Sequence, residues 1–346
     1  MTNVAVVGAA GYAGIEAVRL VLGHDRLNLT LATSAADEGR PVASVYPALA
    51  GLTDLIFTAP NQHAIASHAD AAILAVPHTA ALDLAPALLE SGLTVIDLSA
   101  DYRLTDPAVY ERWYETPHTS PELLPEAVFG LPELDRGRLA GARLVACPGC
   151  YPTATTLAAL PALEAGVVTG GKVVVDAKSG VSGAGRSATP GTHYVTVDEA
   201  VAPYKVAAHR HTPEIEQALS VAAGRPVTVV FAPHLVPMSR GLLATVYMDV
   251  PAGFTLADAQ GIYEARYSGE PFVYLREPGA MPSTADVRGT NRASIGIALD
   301  EHTNTLVAAC AIDNLVKGAA GQGIQCLNAV LGYSETEGLD RPGPVV

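Results

Sequence analysis

Two thiols three residues apart, in Cys147-Pro-Gly-Cys150, end an apolar run at Leu144–Ala146 and precede a helical pattern over Thr153–Glu164. Pro152 and Thr153 suit a helix's first turn, where proline is favoured at the first position. A thiol at such a mouth faces the positive end of the helix dipole, which lowers its pKa and enriches thiolate. The backbone N–H groups there can also hold an oxyanion. Cys150 is therefore a candidate nucleophile, able to carry an acyl group as a thioester. His209 and His211 flank Arg210 just ahead of Thr212-Pro213-Glu214. With Thr212 as N-cap and Pro213 opening a helix, the two imidazoles stand at its mouth, fit for acid/base work on a thiol and its thiohemiacetal.

The spacing leaves other chemistries open. C-x-x-C is also a redox dithiol or half of a zinc site. A dithiol of that kind belongs near the start of a small βαβ fold, and no second C-x-x-C or histidine pair stands nearby at metal spacing. No metal is expected. An inert, buried Cys150 stays open on these residues alone. So does an oxidative bridge from Cys147 to Cys150 that would switch the thiol off reversibly.

The sequence also offers a nucleotide loop. Gly8-x-x-Gly11-x-x-Gly14 lies between an apolar run (Asn3–Val7) and a helical pattern (Ile15–Leu22). Such glycines permit a tight turn and bring a pyrophosphate to the helix N-terminus. Its spacing departs by one residue from G-x-G-x-x-G, and a glycine turn without a ligand is the alternative. After the second strand, Ser34 leaves room for a 2′-phosphate that Arg40 can pair, while Asp37 and Glu38 argue the other way; NADP is favoured over NAD. A second glycine-rich loop, Ser179-Gly-Val-Ser182-Gly183-Ala-Gly-Arg186, can cradle phosphate or nicotinamide. Its alternative is a flexible hairpin. Arg103 and Arg240 are further candidate anion anchors, although each alone reads first as an ordinary surface or salt-bridged arginine.

The elements that must position these groups follow from pattern. At 346 residues and roughly 150 per domain, about two domains are expected. With 49% hydrophobic and 16% charged residues the chain reads as globular. Strands at Leu27–Thr33, Ala71–Val76 and Thr94–Leu98, with a helix over Ala80–Ser91, alternate as a parallel sheet requires. From about Lys172 strand-like runs at 172–177, 227–232, 241–250, 293–298 and 305–312 suggest a mixed sheet. Only one clear helix, 213–222, interrupts them. A final helix is expected over 313–331, before a Pro/Gly-rich tail. The fold class is thus α/β: a Rossmann-type dinucleotide-binding domain plus an α+β catalytic and oligomerisation domain.

A net charge of −14 disfavours nucleic acid and anionic membrane as partners. No run reaches the length of a membrane-spanning helix. Met1–Gly14 lacks a signal-peptide pattern, and four cysteines make no disulfide framework, so a cytoplasmic location is expected.

Together these residues resemble the N-acetyl-γ-glutamyl-phosphate reductases, a family of the aspartate-semialdehyde dehydrogenase-like superfamily. The resemblance covers nearly the whole chain. It rests on Gly8-Ala-Ala-Gly-Tyr12-Ala-Gly14, Pro77-His78, Asp97-Leu-Ser-Ala-Asp-Tyr-Arg103, Pro148-Gly-Cys-Tyr-Pro-Thr153, Ser179–Arg186, His209-Arg-His211 and Asp313-Asn314-Leu-Val-Lys-Gly-Ala-Ala-Gly-Gln322. It implies an NADPH-dependent reduction of a small acyl phosphate through a Cys150 thioester. It implies His209, ahead of His211, as acid/base, and NADP(H) contacts from Gly8, Gly11, Tyr12, Gly14, Ser34, Arg40, Pro77, His78, Ser182, Gly183 and Asn314. Substrate contacts fall to Arg103, Ser179, Arg186 and Arg240. The resemblance further implies a homodimer or homotetramer and a discontinuous nucleotide domain (1–148 with 314–346) around a catalytic domain (149–313). The related carrier-protein-linked aminoadipate phosphate reductases tend to have Asn-Ala after the cysteine; here Tyr151-Pro152 follows, and −14 suits an acidic carrier poorly. Aspartate-semialdehyde dehydrogenases place a histidine where this chain has Arg240. A dinucleotide sensor with a dead site would lack part of the catalytic set, and nothing obvious is missing.

Overall fold

Val4–Val7 is an unbroken apolar run, wholly buried, and forms the body of strand β1 (Thr2–Val7). Burial on both faces is what a central parallel strand requires. In the computed structural model, which describes residues 1–344, this strand lies in a six-stranded all-parallel sheet. Its other members are β2 (Leu27–Ala32), β3 (Ala71–Leu74), β4 (Thr94–Asp97), β5 (Val128–Phe129) and β6 (Leu144–Ala146). Strand order is β2-β1-β3-β4-β6-β5, so the winding reverses between β1 and β3. Ligands of open α/β sheets bind at the carboxyl ends of strands at such a point. Helix α1 (Tyr12–Leu22) follows β1, and α2 (Ala80–Glu90) joins β3 to β4.

The chain forms two compact units, residues 1–148 with 319–341 and residues 149–318 with the segment from 342. The second unit opens with α3 (Cys150–Glu164), buried from Tyr151 through Leu163. A helix apolar all round belongs inside a core. It packs on α4 (Thr212–Ala223) and on one face of a seven-stranded sheet, with α5 (Leu256–Tyr267) also against it. That sheet comprises β7 (Lys172–Gly180), β8 (Ala202–Pro203), β9 (Thr228–Val236), β10 (Leu242–Asp249), β11 (Val273–Leu275), β12 (Ala293–Asp300) and β13 (Thr305–Ile312). Its order is β11-β12-β13-β10-β7-β9-β8, with β7–β9 and β11–β12 parallel and the remaining pairs antiparallel. The α/β class with a mixed second sheet is the one the sequence predicts.

Three helix starts differ from the sequence reading. Helix α3 begins at Cys150 itself, so Pro152 is its third residue. The first-turn N–H groups have no partner within a helix, so a proline there forfeits nothing. Helix α4 begins at Thr212 with His211 as N-cap, and Pro213 is second. The long helix predicted over 313–331 is interrupted: Asp313 Oδ1 accepts from the Leu315 and Val316 N–H groups (2.8 and 3.2 Å), and Val316–Ala320 forms a π-helical turn. Helix α6 (Gly321–Val330) follows and belongs to the first unit. Among the described residues no helix is long and apolar enough to cross a membrane.

Candidate active site

In the first unit, Gly8 ends β1 with φ +80°, and a Cβ on it would lie 2.4 Å from the Ala75 carbonyl oxygen just past β3. This is the left-handed region, open to glycine at no steric cost. A Cβ on Gly14 would meet the Gly8 oxygen at 2.2 Å, so helix and loop touch through backbone. Gly11 caps α1 without a side-chain hydrogen bond, and Tyr12 is its first residue. The Ala9 N–H and Gly8 N–H donate to the Thr33 carbonyl and hydroxyl (2.8 and 3.2 Å), pinning the loop to the end of β2. A glycine cradle at a helix N-terminus and a switch point fits a pyrophosphate.

Beyond β2, Ser34 is nearly buried. Asp37 accepts from its hydroxyl (3.4 Å) and from Arg40 Nη1 (2.7 Å). The Arg40 side chain stays 54% exposed, against 5% for Asp37. The acidic residue that seemed to oppose NADP thus orients the arginine.

After β3 come Pro77 and His78, whose ring lies 5.9 Å from that of Tyr114. Thr79 has φ +75° and gives α2 no side-chain cap. Asp101 supplies it from a distance, accepting from the Thr79 and Ala81 N–H groups (2.8 and 3.1 Å) and from the Tyr110 hydroxyl (2.8 Å). Arg103 is 8% exposed; its Nε donates to the Cys147 carbonyl (2.7 Å) and its Nη2 to the Leu98 carbonyl (2.8 Å). It straps together the chain leaving β4 and β6.

Cys147 is wholly buried in the same unit, and all four cysteines are thiols. A hydrogen bond with the Cys326 thiol, and then burial, hold its pKa well above the ordinary value. The bridge to Cys150 that the C-x-x-C spacing suggested would have to draw Cys147 out of this pairing. Among the described residues no group of three His, Cys, Asp or Glu is placed to hold a metal.

In the second unit Cys150 is the first residue of α3, with the preceding Gly149 as N-cap. The Gly149 N–H is held by Glu214 Oε1 at 2.8 Å, and Glu214 is buried in the first turn of α4. Gly318, in the π-turn, lies directly beside Cys150: a Cβ there would stand 2.6 Å from Cys150 Cβ.

His209 sits in an aromatic box. Its ring centroid lies 5.6 Å from Tyr151, 5.4 Å from Tyr204, 5.3 Å from Phe231 and 4.7 Å from His211. The His211 N–H donates to His209 Nδ1 (3.1 Å), which leaves the proton of the neutral ring on Nε2. Burial first, then the charges of Lys205 and Arg210, lower its pKa to about 4. The Tyr204 hydroxyl donates to that of Tyr151, which donates to the His234 carbonyl (both 3.2 Å).

The second glycine loop is held by Asn314. Its Nδ2 donates to Ser182 Oγ (2.9 Å), and its Oδ1 accepts from the Gly241 N–H (2.8 Å). Gly183 lies against this clamp, where a Cβ would stand 3.0 Å from Ser179 Oγ. Ser179 is buried, Arg186 is exposed, and Arg240 Nη1 lies 3.5 Å from Asp313 Oδ2. Glu214, Gly318, Asp101 and the Tyr204/Phe231 walls were not singled out from sequence. Each acts through a partner distant in the chain, which no local spacing reveals.

Comparison with known proteins agrees with this division of labour. Residues 3–142 match the family model for the semialdehyde dehydrogenase NAD binding domain, and residues 150–314 that for the semialdehyde dehydrogenase dimerisation domain. In overall fold the chain is similar to aspartate semialdehyde dehydrogenase II of Vibrio cholerae complexed with ASA (TM-score 0.72, 18% identity, covering 96% of this chain and 98% of that one). It is likewise similar to the Candida albicans aspartate semialdehyde dehydrogenase with NADP (TM-score 0.71, 13% identity, 95% and 98% covered). Sequence likeness is far stronger to N-acetyl-γ-glutamyl-phosphate reductases. That of Geobacter sp. strain M21 is 48% identical and that of Halorhodospira halophila 50% identical, each over 98% of both chains. With its thiol at a helix mouth and its glycine cradle at the switch point, this chain belongs to the N-acetyl-γ-glutamyl-phosphate reductase family.

Proposed function

We propose that this chain reduces N-acetyl-γ-glutamyl phosphate to N-acetylglutamate 5-semialdehyde, releasing phosphate, with NADPH as reductant, in arginine biosynthesis. The observation that carries the reading is Cys150 as first residue of α3, in a unit that also brings His209 and His211 to the mouth of α4. A carboxylate is a poor acceptor of hydride, whereas an acyl phosphate is activated. The Cys150 thiolate attacks its carbonyl carbon, the C–O bond to phosphate breaks, and a thioester remains. Ser179, Arg186 and Arg240 receive the anionic groups in the catalytic unit, and Arg103 places positive charge at the ends of β4 and β6.

Gly8, Gly11, Tyr12 and Gly14 would hold the dinucleotide's pyrophosphate, and Ser34 and Arg40 its 2′-phosphate. Pro77 and His78 line the same sheet end, while Ser182, Gly183 and Asn314 form the second loop. When bound, the nicotinamide supplies the hydride that turns the thioester into a thiohemiacetal. His209, neutral with its proton on Nε2, donates a hydrogen bond to the oxygen on which charge develops. His211 gives that oxygen its proton and later takes it back as the C–S bond breaks and the aldehyde leaves.

The open face of the seven-stranded sheet exposes Val174, Val230 and Tyr247, and a second copy of the chain covers it in a homodimer or a larger homo-oligomer. A thiolate that must stay reduced to work supports a reducing, cytoplasmic location.

The reverse reaction tests this. Purified protein receives N-acetylglutamate semialdehyde, phosphate and NADP, and reduced cofactor is followed. NADPH should form with the parent protein and not with Cys150→Ser. An inactive parent, or an active serine variant, would sink the proposal. The carrier-bound aminoadipate substrate, run in parallel, should not turn over.

A further inference from the structure

Helix α3 lacks the usual means of closing its own N-terminus. Its N-cap is Gly149, which has no side chain, and its third residue is Pro152. In a capping box the third helical residue is a Glu or Gln that reaches back to the N-cap N–H. Here that N–H is buried, and the acceptor comes from a different helix. Glu214 is the third residue of α4, itself nearly wholly buried, and its Oε1 takes the Gly149 N–H at 2.8 Å. One carboxylate therefore stands at two helix mouths. One mouth carries Cys150; the other is preceded by His209-Arg210-His211, with His211 as its N-cap. The sequence separation is 65 residues, so nothing local holds these mouths in register.

We infer that Glu214 is a positioning residue that caps the Cys150 helix in trans and so fixes the thiol relative to the two imidazoles. The role rests on the thioester reading proposed above. The tie to the Gly149 N–H asks for an acceptor, which an amide oxygen can also supply. Truncation leaves a buried N–H without an acceptor and unlinks the two mouths. A merely structural carboxylate would alter stability without separating binding from turnover.

The test compares Glu214→Ala and Glu214→Gln with the parent by steady-state kinetics and by amide hydrogen exchange of residues 148–153. E214A should lose kcat at least tenfold with KM changed less than about threefold, and exchange in that segment should quicken more than tenfold. E214Q, whose amide oxygen still accepts from Gly149, should keep kcat and exchange within about threefold of the parent. Parental kcat in E214A, or an equal collapse of E214Q, would overturn the role. If E214A fails to fold, E214Q decides alone, by retention within threefold or loss beyond tenfold. An inactive parent would count against the substrate reading instead, and the exchange measurements would still judge the tie.

Discussion

Gly318 and Cys150, 168 positions apart, touch so closely that a Cβ on the glycine would stand 2.6 Å from Cys150 Cβ and 3.1 Å from its Cα. The π-turn at Val316–Ala320 makes the approach possible, and such bulges are frequent at functional sites. A methyl group in this gap must displace Cys150, since the atoms it meets are that residue's Cβ and Cα. Overpacking of this kind costs about 1–3 kcal/mol. Gly318→Ala should therefore lower both melting temperature and kcat, the latter by roughly tenfold or more, as each 1.4 kcal/mol on the barrier is tenfold. Parental kcat in that variant would show that Cys150 tolerates the shift.

Gly8 separates cofactor binding from thiol chemistry. With φ +80° and the Ala75 oxygen 2.4 Å from any Cβ, Gly8→Ala must open the turn proposed to hold the pyrophosphate. NADPH affinity, followed by fluorescence quenching, should fall about tenfold or more, on the same 1–3 kcal/mol scale. Alkylation of Cys150 by iodoacetamide should stay as in the parent. Loss of both would mean that the substitution disturbs more than the glycine turn.

Arg40, oriented by Asp37 with its head half exposed, should distinguish the two nicotinamide cofactors. A charge-assisted hydrogen bond contributes about 1.5–3 kcal/mol. Arg40→Ala should raise KM for NADPH about tenfold or more and leave KM for NADH nearly unchanged. Equal effects on both would place the 2′-phosphate elsewhere.

His209, with its pKa lowered to about 4 from 6.5 by burial and by Lys205 and Arg210, should be neutral throughout the working range. Because the folded value lies below the unfolded one, its contribution to stability is complete above about 6.5 and is lost as pH falls through about 4. Nitrogen NMR of the ring should show the proton on Nε2 at neutral pH and a midpoint near 4. A midpoint above 6 would return the proton-carrying role to His209.

Asp97 gives the opposite sign. Burial first, then the Asp101 charge, raises its carboxyl from 3.8 to about 7, despite hydrogen bonds from Ser99. The folded protein keeps a proton that the unfolded chain releases. This stabilisation is complete below about 3.8 and disappears as pH rises through about 7. Relative to Asp97→Asn, which cannot ionise, the parent's melting temperature should fall between about pH 4 and pH 7 and level off above that. Parallel curves would refute the shift.

The sequence by itself determined what local chemistry dictates. Glycines at 8, 11 and 14 after an apolar run point to a tight strand-to-helix turn, and the turn uses them: Gly8 takes the positive φ and Gly14 the close backbone contact. Continuous apolar strands specify a parallel sheet, alternating ones a half-exposed mixed sheet, and a cysteine before Tyr-Pro-Thr specifies a thiol at a helix mouth. The exact starts of α3 and α4 were less legible, because a proline fits anywhere in the first turn. Only the tertiary structure decided how these pieces are held. Glu214 caps Gly149, Asp101 caps α2, Asn314 clamps the second glycine loop, and Gly318 touches Cys150, each across many intervening residues. Such contacts are set by how helices and strands pack, and packing distance is not written in spacing along the chain. The same holds for Arg103, a candidate anion anchor whose Nε and Nη2 donate to two carbonyls at the ends of β4 and β6. It holds also for His209, whose burial and whose hydrogen bond from the His211 N–H are set by packing and loop geometry.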